Sequence, residues 1–221
     1  VIKSEKPVYT ERQKFASAVH VANSRIVLAH IRRASNPRGL PRERLISIEN
    51  SQPFGYDKYV FVHNGTIRIP DEVAECLGQW KNMLNGLNDS EVYFWYIVKQ
   101  VTEGASFPEA VGKFQEELSV LWQKTKEKYD YDRPYVGLNA LFSDGKNLYA
   151  YCKYDSRDES ELSLCLRDQP VFQMSYLPDS TRLIVVSEKT NREEEWQVLK
   201  SGQLLTGRIL GYNVEIGLQE I

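Results

Sequence analysis

The stretch from Ala29 to Gly65 opens Ala29-His30-Ile31-Arg32-Arg33-Ala34-Ser35, passes through Asn50-Ser51-Gln52-Pro53-Phe54 and closes Phe61-Val62-His63-Asn64-Gly65. Ile26 to Ile31 is a short apolar run rich in β-branched residues. It predicts a buried strand with Arg32 and Arg33 at its end, where a charge can point into a cleft. Lys58 to His63 is again Val/Phe/Tyr-rich and predicts a second strand. Asn64-Gly65 follows directly, and Asn-Gly is the strongest short hairpin signal. The plain reading is a hairpin joining Tyr59–Val62 to Thr66–Ile69. A functional reading keeps the turn and gives it a use. An Asn amide beside a Gly N–H that no Cβ shields supplies two donors able to converge on one oxygen, as an oxyanion hole requires.

Outward from this stretch, Val1 to Tyr9 reads as the end of a strand with Pro7 at its edge. Thr10 caps a helix over Glu11 to Asn23, with Phe15, Ala18, Val19 and Ala22 facing the core and His20 facing solvent. Asn36 to Arg44 is a Pro/Gly-punctuated loop, either a flap over the cleft or plain solvated surface. Pro70 starts a helix with Val73, Leu77 and Trp80 inside, and Asn85 to Asn88 ends it. Asp89 precedes an apolar helix over Val92 to Val101 and reads as its N-cap, a place from which a carboxylate can also hold a ligand ammonium group. Ser106-Phe107-Pro108-Glu109 is a capping box opening a helix whose stripe is Val111, Phe114, Leu118, Leu121 and Trp122. Beyond Arg133 the period becomes two. Strands are expected over Val136–Phe142, Asn147–Tyr154, Leu162–Leu166 and Arg182–Val186 and around Leu199, Leu205 and Val214, with a turn at Ser143-Asp144-Gly145-Lys146. Trp196 and Tyr149 to Tyr154 read as core and sheet-face residues. Strands at both ends with helices between, in one domain, predict an α+β fold of two packed antiparallel sheets covered by helices.

Composition bounds the chemistry. The 221 residues are 42% hydrophobic and 26% charged with a net charge of −2, an ordinary globular chain long enough for one sizeable core. Neither basic clusters nor a polybasic tail is present, so no nucleic acid or membrane partner is expected, and a small-molecule substrate fits better. Cys76, Cys152 and Cys165 show no paired framework, which points to a reducing, cytoplasmic compartment. None of the three adjoins a base, so each reads as a core residue rather than a reactive thiol.

Taken in order, Ala-His-x-Arg, Asn-x-x-Pro-Phe, His-Asn-Gly and Asp89-Ser90-Glu91 before an apolar helix resemble the glutaminase domain of class II glutamine amidotransferases, which are N-terminal-nucleophile hydrolases. The likeness runs over nearly the whole chain. Gln52-Pro53-Phe54 and Val186-Ser187-Glu188 with Trp196 look like the stand-alone branch that includes the ergothioneine-pathway amidohydrolase and γ-glutamyl hydrolases.

The resemblance implies a four-layer α-β-β-α sandwich of two mainly antiparallel sheets, here a single glutaminase-type domain over residues 1–221 lacking its N-terminal strand. The family's nucleophile is an N-terminal cysteine, whereas this chain begins with Val1, so the cysteine is expected in a segment upstream. By resemblance, Asn64 and Gly65 are the catalytic oxyanion donors. Arg32, Ser35, His63 and Asp89 form the substrate-binding set, in which Arg32 takes a carboxylate and Asp89 an ammonium. His30 and Arg33 are supports, and in His63 too a bracing role is expected. Arg33 stands where synthase-type members carry Trp, and Asn36-Pro37 replaces a His-Gly, which widens the expected substrate from glutamine to γ-glutamyl amides in general. The expected function is hydrolysis of the side-chain amide of glutamine or a γ-glutamyl compound through a cysteine thioester, with no metal or other cofactor. The product ammonia is either released or handed to a separate partner protein. The alternative is a non-catalytic glutamine-binding or regulatory domain.

Overall fold

The computed structural model describes residues 1–32, 34–155, 157, 162–163 and 169–221. In chain order these form helices α1 (Arg12–Val21) and α2 (Arg42–Leu45), strands β1 (Phe54–Tyr56) and β2 (Tyr59–Ile67), and helices α3 (Pro70–Glu75), α4 (Asp89–Thr102) and α5 (Phe107–Thr125). Strands β3 (Tyr135–Ser143), β4 (Asn147–Tyr151), β5 (Met174–Pro178), β6 (Leu183–Val186), β7 (Gln197–Leu199), β8 (Gln203–Leu210) and β9 (Asn213–Glu220) follow. They build two antiparallel sheets, one in the order β1-β2-β3-β4-β8-β9 and one in the order β6-β5-β7.

Alternation along the strands sends each face of the larger sheet into its own core. Phe61, Leu138, Ala140, Phe142, Tyr151 and Leu204 pack against the helices, where α4 presents Tyr93, Phe94 and Ile97 and α5 presents Phe114 and Leu118. Ala150 and Leu205, directly paired across β4 and β8, face the smaller sheet and meet Met174, Tyr176 and Leu199. The α+β architecture of two packed antiparallel sheets with helices is thus the one the sequence predicts. Helix α5 starts where expected. The Ser106 hydroxyl accepts from the Glu109 N–H while the Glu109 carboxylate accepts from the Ser106 N–H. Ser106→Ala should therefore cost about 1 kcal/mol, read as a melting temperature lower by roughly 2–4 °C.

The Asn-Gly pair overturns the hairpin expectation. Asn64 and Gly65 lie inside the continuous strand β2, opposite Asn139 and Leu138 of β3, and the register shifts between Gly65 and Thr66. The shift is a bulge on the partner strand at Gly137, whose φ is +71°. Long-range pairing outweighs the local turn preference because Phe61 and Ile67, on either side of the pair, are both fully buried. The hairpin turn falls earlier, at Asp57-Lys58 between β1 and β2, with Asp57 at φ +51°.

The N-terminal expectations are also corrected. Neither Val1 to Tyr9 nor Ile26 to Ile31 is a strand, because neither joins a sheet among the described residues, and a strand without a ladder partner leaves its backbone groups unpaired. Without that partner the apolar side chains stay at the surface, as in Ile31 at 75% exposure. Helix α1 forms but buries none of its residues, so Phe15 and Val19 face solvent together with His20. At α4 the N-cap is Asn88, whose side chain accepts from the Ser90 N–H at 2.9 Å, and not Asp89, which occupies the first helical position. Strand β5 and the short β1 are additions to the elements that the sequence pattern signals. Leu162 bridges to Pro170, whereas 164–166, with Cys165, lie outside the described residues.

Candidate active site

Strand β2 beside the Gly137 bulge, the N-terminus of α4, and residues 30–32, 35 and 52 line a cavity of about 100 Å³. His30, Arg32, Ser35, His63, Asn64 and Gly65 all line it. The sequence thus picks out residues that the fold collects, although their elements lie far apart along the chain; Asp89 is the exception, lying behind Ser35 and outside the cavity lining. Arg33 is outside the described residues. Asn64 is half-buried and lines the cavity, and its side-chain amide has no hydrogen-bond partner among the described residues, which leaves both amide hydrogens available to a ligand.

Gly65 beside it is fixed by close approach. A Cβ there would lie 2.1 Å from the Gly137 carbonyl oxygen and 2.7 Å from His63 Nε2. The His63 ring is buried with both nitrogens engaged. Nε2 faces the Gly137 carbonyl at 3.3 Å, so it carries the proton, and Nδ1 accepts from the Ser90 hydroxyl at 2.9 Å. His63 therefore braces the cavity wall.

The polar first turn of α4 holds the floor. Asp89 is 1% exposed. One carboxylate oxygen accepts from the Ile67 N–H at 2.7 Å and the other from the Ser35 hydroxyl at 3.4 Å, placing Ser35 between Asp89 and the cavity. Burial raises the Asp89 carboxyl above its ordinary range, against the hydrogen bonds and the Arg32 charge that lower it. Arg32 donates to the carbonyls of Asn50 and, at 3.3 Å, Leu45. Asn50, buried, also accepts from the Asn88 side chain and from the Leu87 N–H, tying the 50–52 segment to the start of α4. Glu91 accepts from the Asn85 and Gly86 N–H groups. The loop after Ser35 is pinned as well, since Arg38 donates to Asp71 and to the Leu87 carbonyl.

Five polar residues that organise this site receive no role from the sequence, although all but Asn88 lie within the motifs that carry the resemblance: Asn50, Gln52, Asn88, Ser90 and Glu91. A signal was available. Helix α4 is buried at every position from Val92 to Val98. A helix apolar on all sides has its N-terminus buried too, so the polar residues there need partners.

His30 and His63 are both pushed down to about 4, first by burial. The folded protein therefore keeps both neutral, while an unfolded chain takes up protons below about pH 6.5. Stability from this source is complete above pH 6.5 and lost as pH falls toward 4. Asp89, raised, contributes with the opposite sign. His30→Gln should consequently flatten the fall in urea midpoint between pH 6.5 and 4; an unchanged slope would show that His30 does not contribute.

Residues 2–212 match the family model of class-II glutamine amidotransferases. The chain belongs to that family. It is 30% identical over 200 residues to an uncharacterized protein of Methanocaldococcus jannaschii, covering 82% of this chain and spanning 50% of that relative's length. The fold is similar to the solved structure of a glutamine aminotransferase class-II domain protein from Silicibacter pomeroyi, with a TM-score of 0.66 and 21% identity over 100% of this chain and 84% of that one. No helix among the described residues of this class II amidotransferase domain is long and apolar enough to cross a membrane. Neither Cys76 nor Cys152 lines the cavity. Burial raises both thiols, Cys152 to about 12, so neither is primed as a nucleophile.

Proposed function

We propose that this protein hydrolyses the side-chain amide of glutamine or a γ-glutamyl compound. The observation that carries the reading is the Asn64 amide, without a hydrogen-bond partner among the described residues, in the lining of a polar cavity shared with Gly65 and Arg32. In the proposed reaction a cysteine at the mature N-terminus, encoded ahead of Val1, attacks the amide carbon through its thiolate. Its own α-amino group takes the thiol proton. The carbonyl oxygen becomes an oxyanion that accepts hydrogen bonds from the Asn64 amide and the Gly65 N–H. Collapse expels the nitrogen, as ammonia from glutamine or as the substituent amine from a γ-glutamyl compound, using the proton held by the α-amino group, and leaves a γ-glutamyl thioester. Water then cleaves the thioester to glutamate and free thiol.

Two charges fit the ligand. A guanidinium has five N–H donors, so Arg32 keeps donors for a carboxylate beyond the two it gives to backbone carbonyls. Asp89, raised by burial, gains most from a cation, and a substrate ammonium reaching it past the Ser35 hydroxyl would stabilise its ionised form.

The test is glutamate release from glutamine and from a γ-glutamyl dipeptide by the full-length protein, with the thioester sought as a mass increment on the N-terminal peptide. Absence of both, with substrate binding retained, would favour a non-catalytic binding domain. Arg32→Ala is expected to raise KM at least about tenfold with little change in melting temperature, from loss of a charge-assisted contact of roughly 1.5–3 kcal/mol. A collapsed melt with unchanged KM would assign the guanidinium to holding the Asn50 and Leu45 carbonyls.

A further inference from the structure

We infer that Gln52 is a positioning residue whose side-chain amide takes the place of a strand neighbour and so aims the Asn64 amide into the cavity. The inference deepens the oxyanion reading and rests on it. Strands β1 and β2 pair with Phe54 opposite Phe61. Continuing that antiparallel register by two residues puts position 52 opposite position 63. Pro53 intervenes, and proline has no N–H to give a ladder. The Gln52 side chain supplies the missing pairing. Its Oε1 accepts from the His63 N–H at 2.6 Å and its Nε2 donates to the His63 carbonyl at 3.0 Å. A primary amide presents the same donor and acceptor as a peptide group, so the backbone of His63 is held on this side as a neighbouring strand would hold it. On its other side His63 pairs with Ala140 of β3.

The same amide nitrogen lies 3.4 Å from the Ser90 hydroxyl, which donates in turn to His63 Nδ1. Gln52, Ser90 and the Gly137 carbonyl therefore fix both the backbone and the ring of His63. Asn64 is the next residue. With no partner for its own side chain among the described residues, its amide takes its direction from the backbone it stands on. Gln52 and Ser90 both line the cavity, so the clamp is placed where a loss of register would be felt by the bound substrate.

Gln52→Met keeps length and removes both contacts, whereas Gln52→Glu keeps the acceptor for the His63 N–H and sets an oxygen against the His63 carbonyl. The readout is kcat per titrated active site in the full-length protein. We expect Met to lower it by about 10–10²-fold, the range for a misplaced catalytic group, with KM within about twofold and Glu intermediate. Ser106→Ala, which loses stability far from the cavity, is the control and should leave kcat unchanged. Independently of turnover, the side-chain amide resonances of Asn64 should move in Gln52→Met and stay put in Ser106→Ala. Full-length wild type that releases no glutamate would defeat the proposed reaction, while the resonances still decide the clamp. A Gln52→Met protein with unmoved Asn64 resonances, or with only its melting temperature changed, would overturn it.

Discussion

Gly65→Ala is expected to cost the protein its folded state, not merely its turnover. The added methyl would sit 2.1 Å from the Gly137 carbonyl oxygen and 2.6 Å from its carbon. These are backbone atoms of the paired strand and cannot rotate away as a side chain can. Relief requires parting β2 from β3 at the bulge, in the middle of a pairing that runs from Val60 to Ile67. Forcing extra volume into a packed interior costs typically about 1–3 kcal/mol when side chains can adjust, and more here because backbone must move. Against a total stability of about 5–15 kcal/mol, most of the folded population is at risk. The control is Gly112→Ala in α5, where nothing lies within 4 Å of an added Cβ. Replacing glycine in a helix interior gains up to about 1 kcal/mol. Urea unfolding of both variants should therefore move in opposite directions. A Gly65→Ala protein that unfolds at the wild-type midpoint would mean that β2 and β3 are not held together at Gly137 as described.

What the sequence discloses, and what it hides, follows the range of the forces involved. The capping box at Ser106 and the turn at Ser143 to Lys146 are visible because their signals and their partners lie within a few residues. Asn64-Gly65 misleads for the opposite reason. Its real partners, Leu138 and Asn139, belong to a strand that comes after two long helices, and a dipeptide preference of local origin loses to a nine-residue strand buried at Phe61 and Ile67. The glycine is required all the same, for close approach and not for turning. The run from Ile26 to Ile31 shows the same dependence from the other side: β-branched composition makes a strand only when a neighbour offers its edge. Asp89 lies between these cases. Its place at a helix start was legible, whereas its hydrogen bond to the Ile67 N–H needed the tertiary fold, and that bond ties the floor of the cavity to the far end of β2.

Asn64→Asp separates the strand role of Asn64 from the oxyanion role more sharply than any other change. The two side chains are nearly isosteric, and the native one has no hydrogen-bond partner among the described residues, so a strand that needs only the shape of residue 64 should fold as before. Arg32, lining the same cavity, would sit near the new carboxylate, which favours the folded state if it acts at all. The melting temperature is thus expected to hold or rise slightly. Turnover should behave differently. A donor aimed at a developing oxyanion becomes a negative charge aimed at a negative charge, a loss beyond simple donor removal and worth about 3 kcal/mol or more, at least roughly 10²-fold in kcat. Ground-state binding should suffer less, because the amide oxygen of the substrate is only weakly negative before attack. Steady-state kinetics of the full-length protein on glutamine and on a γ-glutamyl dipeptide, alongside a thermal melt, supply the comparison. A variant that keeps wild-type kcat at unchanged stability would remove Asn64 from the proposed reaction, and would leave the Gly65 N–H as the one proposed donor to the substrate carbonyl.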